Sequence, residues 1–348
     1  MRLIIRSDAN FKIGFGHIMR CLALAQYWHR HMGPVHFVCH KPLPEPIESR
    51  LNQEGFEVES LSVPPGSDED AKQLIAFGHS VQANAIFIDG YHFNETYQQV
   101  LSSSPFYVLV IDDYAHLDNY WADGLLNQNA GITAASYAGL IQQADLLLGP
   151  RFALLRQEII AAEPKAALLD PVDHDTEVIQ LLITLGGTQP KGLIPNVLDA
   201  LVELSSDYPM TVKLLASNVK FPTLPSWIQQ TPYTDNMAAL YRWANLAICG
   251  GGSTQWEMSF FGIPRLAIIL AENQIAVTEY LDQKQCCINA GPHHKLTRQS
   301  IIDNLRCLFS NGALRDAMRK NNQSLMDGQG AKRVCEFIAA RINNGQRN

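Results

Sequence analysis

The sequence predicts an α/β protein made of two doubly wound domains that face each other across a cleft. Three observations carry this expectation. The chain has 348 residues, too many for a comfortable single domain and suited to two of roughly 150–200 each. Short apolar runs alternate with longer amphipathic stretches from end to end, which is the pattern of parallel βαβ units. Between about 158 and 176 that alternation stops, in a segment with two prolines and no clear period, so it reads as a linker.

In the first half, the runs over 3–6, 35–39, 56–60, 85–88, 107–111 and 145–148 are expected as strands. They are continuous rather than alternating, as strands covered on both faces are. Helical spacing of apolar positions predicts helices over 17–31, 71–79, 94–101 and 134–143. In the second half, strands are expected over 178–184, 211–216, 246–249, 265–270 and 286–288, with helices starting near 192, 237, 254, 273 and 297. A last amphipathic helix covers about 331–342. The expected division is therefore 1–157, a linker over 158–176, a second domain over 177–330 and a terminal helix within 331–348. Ligands of doubly wound sheets bind at the C-terminal ends of the strands, which directs attention to the strand-to-helix turns.

Composition narrows the function. Hydrophobic residues make up 47% and charged residues 18%, below the roughly 25% usual for soluble domains, so the chain has ample material for two cores. Lys and Arg number 27 against 34 Asp and Glu, a formal charge of −7 with no basic block, which disfavours nucleic acid as a partner. No run approaches the ~20 apolar residues of a membrane span. The opening apolar run of Leu3–Ile5 ends at Arg6, so no signal peptide is expected. Seven cysteines without a C-x-x-C pair read as reduced thiols in a cytoplasmic protein.

Three turns carry the chemistry. Ile13-Gly14-Phe15-Gly16-His17-Ile18-Met19-Arg20 follows the first strand and opens a helix. Its glycines allow close backbone approach, and the helix start offers N–H groups to an anion. The third glycine of a dinucleotide fingerprint is absent, since Met19 holds its place, and no P-loop occurs in the chain. His17 at this helix start is a candidate base or acid; the plainer alternative is that it caps the helix. Leu185-Gly186-Gly187-Thr188-Gln189-Pro190 is a second, less specific glycine turn. Cys249-Gly250-Gly251-Gly252-Ser253-Thr254-Gln255-Trp256-Glu257 is the third. Gly252, Ser253 and Thr254 there suit an anion. Glu257 suits the paired hydroxyls of a ribose, or alternatively a T-x-x-E capping pair with Thr254.

Other positions are weaker. Asp89-Gly90-Tyr91 and Asp112-Asp113-Tyr114 end first-half strands, where sugar binding and simple capping are both expected uses. Adjacent Asp112 and Asp113 point to opposite sides of an extended chain and do not make a carboxylate pair. Asn273 and Gln274 follow a strand and suit hydroxyl or amide recognition, or a helix cap. His293-His294 has no partner at metal-ligand spacing, so no metal is expected.

Taken together, the opening Ile5-Arg6-Ser7-Asp8-Ala9-Asn10 with Ile13 to Ala25, then Ile111-Asp112-Asp113, Leu126-Asn127-Gln128-Asn129, Gly149 to Arg156, Leu185 to Thr188, Gly252 to Glu257 and Glu272-Asn273-Gln274 resemble one family. It is that of the UDP-2,4-diacetamido-2,4,6-trideoxy-β-L-altropyranose hydrolases of pseudaminic acid biosynthesis, whose opening the spore-coat polysaccharide proteins share. The resemblance covers about residues 3 to 290. It implies two Rossmann-like domains of the glycosyltransferase-B type, with the nucleotide on the C-terminal half and the last helix crossing back to the first domain. It implies His17 as general base, Glu257 as substrate-binding, and Tyr91 and Asn273 near the sugar site; with Gly14, Gly16, Arg156, Gly252, Ser253, Thr254 and Gln274 these make up the expected substrate-binding set. It calls for a UDP-sugar as partner and for no cofactor. Gln189, Phe152 and Asn245 depart from the pattern, at places where Asp, Tyr and Asp are expected.

The implied reaction is attack of water on the anomeric carbon with His17 taking the proton, UDP leaving from the opposite face with inversion. A helix N-terminus lowers a histidine pKa and a diphosphate raises it, and the sequence does not rank the two. A UDP-sugar glycosyltransferase on the same nucleotide site, and a non-catalytic UDP-sugar binder, are the competing readings. Oligomeric state is not legible.

Overall fold

The computed structural model describes residues 1–10, 13–141, 143–162, 178–186, 190–216, 221, 223–231, 234 and 236–345. The chain divides into two compact units, Met1–Gln157 with Gly328–Asn348, and Glu158–Asp327.

The first unit runs β1 (Leu3–Ser7), α1 (Gly16–His31), β2 (Val35–His40), α2 (Glu45–Gln53), β3 (Glu57–Leu61), α3 (Asp68–Ser80), β4 (Ala85–Asp89), α4 (Glu95–Ser102), β5 (Tyr107–Ile111), β6 (Gly124–Asn127) and β7 (Asp145–Leu148). Its strands form one parallel sheet in the order β3-β2-β1-β4-β5-β6-β7. The central strands β1, β4 and β5 are buried along their whole length, which is why they are written as unbroken apolar runs. Their side chains divide between two cores, Ile5, Phe87 and Leu109 on one face and Ile4, Ile86 and Val108 on the other. Ser67 caps α3 by accepting the Asp70 N–H at 3.2 Å, and Asn94 caps α4 by accepting that of Tyr97 at 3.0 Å.

After α5 (Gln157–Ala161), the second unit runs β8 (Ile179–Thr184), α6 (Leu193–Leu204), β9 (Met210–Leu215), β10 (Ile228–Thr231), α7 (Met237–Trp243), β11 (Leu246–Gly250), α8 (Thr254–Phe260), β12 (Arg265–Ile269), α9 (Ile275–Gln283), β13 (Ile288–Pro292), α10 (Arg298–Ser310) and α11 (Gly312–Leu325). Its parallel sheet has the order β10-β9-β8-β11-β12-β13. In both sheets the winding direction reverses beside the first strand, between β1 and β4 and between β8 and β11. Those reversal points are where open α/β sheets leave a crevice for ligand.

The last helix, α12 (Gly330–Asn343), belongs to the first unit. Val334 and Ile338 join the core that holds Leu22, Ala25 and Trp28 of α1. Arg333 donates to the Arg151 carbonyl at 2.8 Å, and Arg341 pairs with Asp145.

The structure departs from the sequence-based expectation in several places. The stretch 134–143 forms only a single 3-10 turn, Ala134–Tyr137. Gly139 at φ +81° turns the chain away, and the Tyr137 hydroxyl is drawn inward to Asp112 at 2.6 Å. Strands β6 and β10 and helices α2 and α11 add to the expected set. The strand expected over 286–288 begins only at Ile288, because Gln285 turns at φ +52° before it. Of the expected linker, 158–161 lie in α5, and residues 163–177 lie outside the described set.

Gly330 tests the seat of α12. A Cβ at this position would lie 2.0 Å from the Ala153 carbonyl oxygen, a backbone atom that does not yield. Gly330→Ala is therefore expected to lose about 1–3 kcal/mol of stability by overpacking, measured as a shift of the denaturant midpoint at unchanged slope.

Candidate functional site

In the first unit the site grows from the reversal point. β1 and β4 are neighbours, with Ser7 opposite Asp89 in register, so α1, which follows β1, starts beside the end of β4. The backbone reaches α1 through Gly14, at φ +81°, a conformation L side chains rarely adopt. Among the described residues no acceptor meets the N–H groups of Gly16, His17 and Ile18, and the N-cap Phe15 offers no side-chain bond.

His17 sits on this first turn with 13% of its side chain exposed. Its Nδ1 is 2.6 Å from Asp89 Oδ1. Arg20, one turn further on the same face, donates from Nε to Asp89 Oδ2 at 2.6 Å and from Nη2 to Asp89 Oδ1 at 2.7 Å. The same guanidinium reaches the next strand end and donates to Asp113 Oδ1 at 2.8 Å and Oδ2 at 3.1 Å. Burial alone would raise the Asp89 carboxyl, but the charge of Arg20 and the hydrogen bonds from Arg20 and His17 hold it well below the usual carboxylate range. Asp89 is thus an anion, and a contact of 2.6 Å to it requires a proton on His17 Nδ1. A neutral His17 then carries its lone pair on Nε2, the form a base needs.

Tyr91 follows Asp89 by two residues. Its hydroxyl donates to Asp113 Oδ2 at 2.6 Å, which sets its ring edge-on to His17 at 4.9 Å. Asp112 is held by other groups, accepting from Tyr137 and the Ala115 N–H and pairing with His116 Nδ1 at 2.7 Å. The adjacent carboxylates therefore have separate partners. Cys21 donates weakly to Asp89, and burial followed by the Asp89 charge pushes its thiol well up, so it is not a thiolate nucleophile.

In the second unit the turn after β11 takes the equivalent place. A Cβ on Gly251 would lie 2.6 Å from Thr278 Oγ1 and 2.9 Å from Gln274 Cβ, so only glycine fits. Its N–H donates to Ile268 O at 3.0 Å and to Gln274 Oε1 at 3.1 Å. Gln274 Oε1 also accepts the Leu270 N–H at 2.9 Å, so this amide staples the turn to the end of β12. The next three N–H groups, of Gly252, Ser253 and Thr254, have no acceptor among the described residues. Successive unfilled N–H groups on a turn suit an anion.

Glu257 is half-buried and accepts from the Tyr241 hydroxyl at 2.7 Å. Capping of Thr254 is not its use: α8 has Ser253 at the N-cap, with no side-chain capping bond. Asn273 lies in the short 3-10 turn beside Gln274. Arg156 is 6% exposed, in the segment before α5, and is not among the groups bonded to His17, Asp89 or Asp113. Gly187, Thr188 and Gln189 lie outside the described residues. Sequence reasoning missed Arg20 as the centre of the cluster. The i, i+3 spacing from His17 to Arg20 was the available signal, since it places both on one helix face.

Among the described residues, no group of His, Cys, Asp and Glu could hold a metal ion, and no helix is long and apolar enough to cross a membrane.

Residues 205–334 match the family model of the glycosyltransferase family 28 C-terminal domain. The chain is 26% identical over 294 residues to the UDP-2,4-diacetamido-2,4,6-trideoxy-beta-L-altropyranose hydrolase of Campylobacter jejuni, covering 82% of this chain and 97% of that protein. It is 23% identical over 286 residues to a Methanocaldococcus jannaschii protein, of which it spans only 56%. It is 26% identical over 166 residues to the spore coat polysaccharide biosynthesis protein SpsG of Bacillus subtilis, of which it spans 49%. Among solved structures it is similar to Acinetobacter baumannii MurG, with a TM-score of 0.72 at 15% identity, over 97% of this chain and 99% of that one. It is also similar to a UDP-GlcNAc 2-epimerase from Neisseria meningitidis bound to UDP-GlcNAc, with a TM-score of 0.66 at 11% identity, over 98% and 100%. The fold is thus two parallel-sheet α/β units of the glycosyltransferase-B type.

The buried carboxylates make the cluster acid-sensitive. In the folded protein Asp8 and Asp89 stay ionised well below their ordinary value of 3.8, and Asp112 is lowered too. Below that value the unfolded chain takes up protons that the folded chain refuses, so stability is complete above it and falls as pH drops. Denaturant midpoints are expected to decline steeply below about pH 4, and Asp89→Asn is expected to flatten that decline while lowering stability at neutral pH by about 3–5 kcal/mol.

Proposed function

We propose that the protein hydrolyses a UDP-activated 2,4-diacetamido-2,4,6-trideoxy hexose, UDP-2,4-diacetamido-2,4,6-trideoxy-β-L-altropyranose, to the free sugar and UDP. The observation that carries the reading is the His17–Asp89 pair: His17 Nδ1 lies 2.6 Å from a buried carboxylate held ionised, which leaves Nε2 as the nitrogen that can serve as a base. Similarity to the Campylobacter jejuni hydrolase over nearly its whole length supplies the substrate class.

In this reading His17 Nε2 takes a proton from water as the water oxygen bonds to C1 and the C1–O bond to UDP breaks. Asp89 stabilises the imidazolium that forms, and the proton then passes to solvent. UDP departs as a good leaving group, so a general acid is not required. The N–H groups of Gly252, Ser253 and Thr254 receive the diphosphate, and fixed donors of that kind stabilise the charge the leaving group gains. Glu257, oriented by Tyr241, receives the ribose hydroxyls, with Asn273 beside it and Gln274 holding the turn. Gly14 and Gly16 let the sugar approach the first-unit backbone, and the Tyr91 ring packs on it.

A transferase is the second reading, favoured by the family 28 match over 205–334. The same base would then act on an acceptor hydroxyl in place of water.

The discriminating experiment is incubation with the UDP-sugar in ¹⁸O-labelled water without acceptor. Label at C1 of the free sugar is the expected result; label in the released phosphate, or no UDP release, overturns hydrolysis at carbon. His17→Asn is expected to cut turnover by about 10²–10⁴ while leaving the melting temperature and UDP affinity near those of the parent. Near-normal turnover in that variant removes His17 as the base.

A further inference from the structure

Arg265, the first residue of β12, is fully buried. Its guanidinium donates to Gln255 Oε1 at 3.3 Å, Ser259 Oγ at 3.0 Å, Asn322 Oδ1 at 3.0 Å and the Ile263 carbonyl at 3.3 Å. Every one of these acceptors is neutral, and among the described residues no carboxylate pairs with it. Two buried arginines of the first unit are held differently. Arg6 faces Asp8 and Asp70, and Arg20 faces Asp89 and Asp113. Neutral acceptors satisfy the N–H groups of Arg265 but leave its charge uncancelled in a medium where an unpaired charge is costly.

The position of that charge is specific. Gln255 lies in the first turn of α8, directly after the Gly250–Gly252 turn. Its Oε1 accepts from Arg265, and its Nε2 donates to Thr278 Oγ1 at 3.3 Å. Thr278 is fully buried and lies under the turn, where a Cβ on Gly251 would stand 2.6 Å from its hydroxyl. A line of aligned dipoles therefore runs from the guanidinium to the underside of the turn. Beyond it are the N–H groups of Gly252, Ser253 and Thr254, which no described residue fills.

We propose that Arg265 is the buried positive charge of this subsite and that the phosphate groups of a nucleoside diphosphate are its counter-ion. The inference rests on the reading of the second unit as the nucleotide-binding one. Arg265 is a positioning residue: it touches no ligand and acts through Gln255 and Thr278 on the potential at the turn.

The test is calorimetric titration of the full chain with uridine, UMP and UDP. The variants are Arg265→Met, which removes the charge, Arg265→Lys, which keeps it, and Gln255→Glu, which neutralises it in place with a side chain of the same shape. Arg265→Met and Gln255→Glu are expected to weaken UDP binding by about tenfold, UMP less and uridine within about twofold, because Coulomb energy scales with ligand charge. Arg265→Lys is expected to bind UDP near the parental level. Gln255→Glu gains an ion pair, so its melting temperature should hold or rise while its UDP affinity falls, a combination that a purely structural role does not produce. If Arg265→Met does not fold, Gln255→Glu decides. Equal losses for uridine and UDP, or unchanged UDP affinity in Gln255→Glu, overturn the role of Arg265 alone. Failure of the parent chain to bind any of the three ligands overturns the nucleotide reading, and this inference with it.

Discussion

The guanidinium of Arg20 lies between two carboxylates that come from the ends of neighbouring strands, Asp89 of β4 and Asp113 just past β5. Much of the first-unit site depends on this arrangement. Without the cation, two buried carboxylates would face each other, and at least one would take up a proton. Asp89 could then no longer demand the proton of His17 Nδ1. Asp113 would lose the two bonds from Arg20 that fix the carboxylate to which the Tyr91 hydroxyl donates, and the ring beside His17 would lose its anchor. Buried ion pairs add little net stability over apolar packing, but they are costly to break, so their value here is the single arrangement they enforce.

The charges in that cluster matter to the proposed reaction as well. One guanidinium against two carboxylates leaves a net charge of −1 while His17 is neutral, and zero once His17 holds a proton. The second unit differs: it holds a buried cation, Arg265, whose acceptors among the described residues are neutral, beside N–H donors that no described residue fills.

Much of this was legible in the sequence, and the limits have physical causes. Strands buried on both faces advertise themselves as apolar runs, so β1, β4 and β5 were readable almost to the residue. The strand β10, Ile-Gln-Gln-Thr, lies at a sheet edge and buries only its first residue, so it carries no such signal. Helix α11 is polar on most of its surface and was equally silent. His17 could be found because a histidine between a glycine turn and a helix is a local pattern. Arg20 and Asp89 could not be paired, since they are 69 residues apart and meet only because β4 is laid beside β1. Arg265 was invisible for a related reason. The role proposed for it lies in what does not surround it among the described residues, and spacing along a chain cannot report a missing carboxylate.

The departures from the family pattern can be weighed on the same physical terms. Asn245 accepts the Gln180 N–H at 2.9 Å and donates its own N–H to the Gln180 carbonyl at 3.0 Å, fastening the start of β11 to β8. An aspartate would accept the same bond, so this exchange leaves the frame unchanged. Phe152 packs against the core shared by α1 and α12, with the Arg151 guanidinium over its ring at 5.2 Å. A tyrosine there would add one hydroxyl at the edge of that core. Neither position bonds to His17, Arg20 or Asp89, whose partners are each other, Asp113 and Cys21. The net charge of −7 is similarly remote from the chemistry. In the proposed reaction the charges that matter are a few buried ones, negative around Arg20 and positive at Arg265.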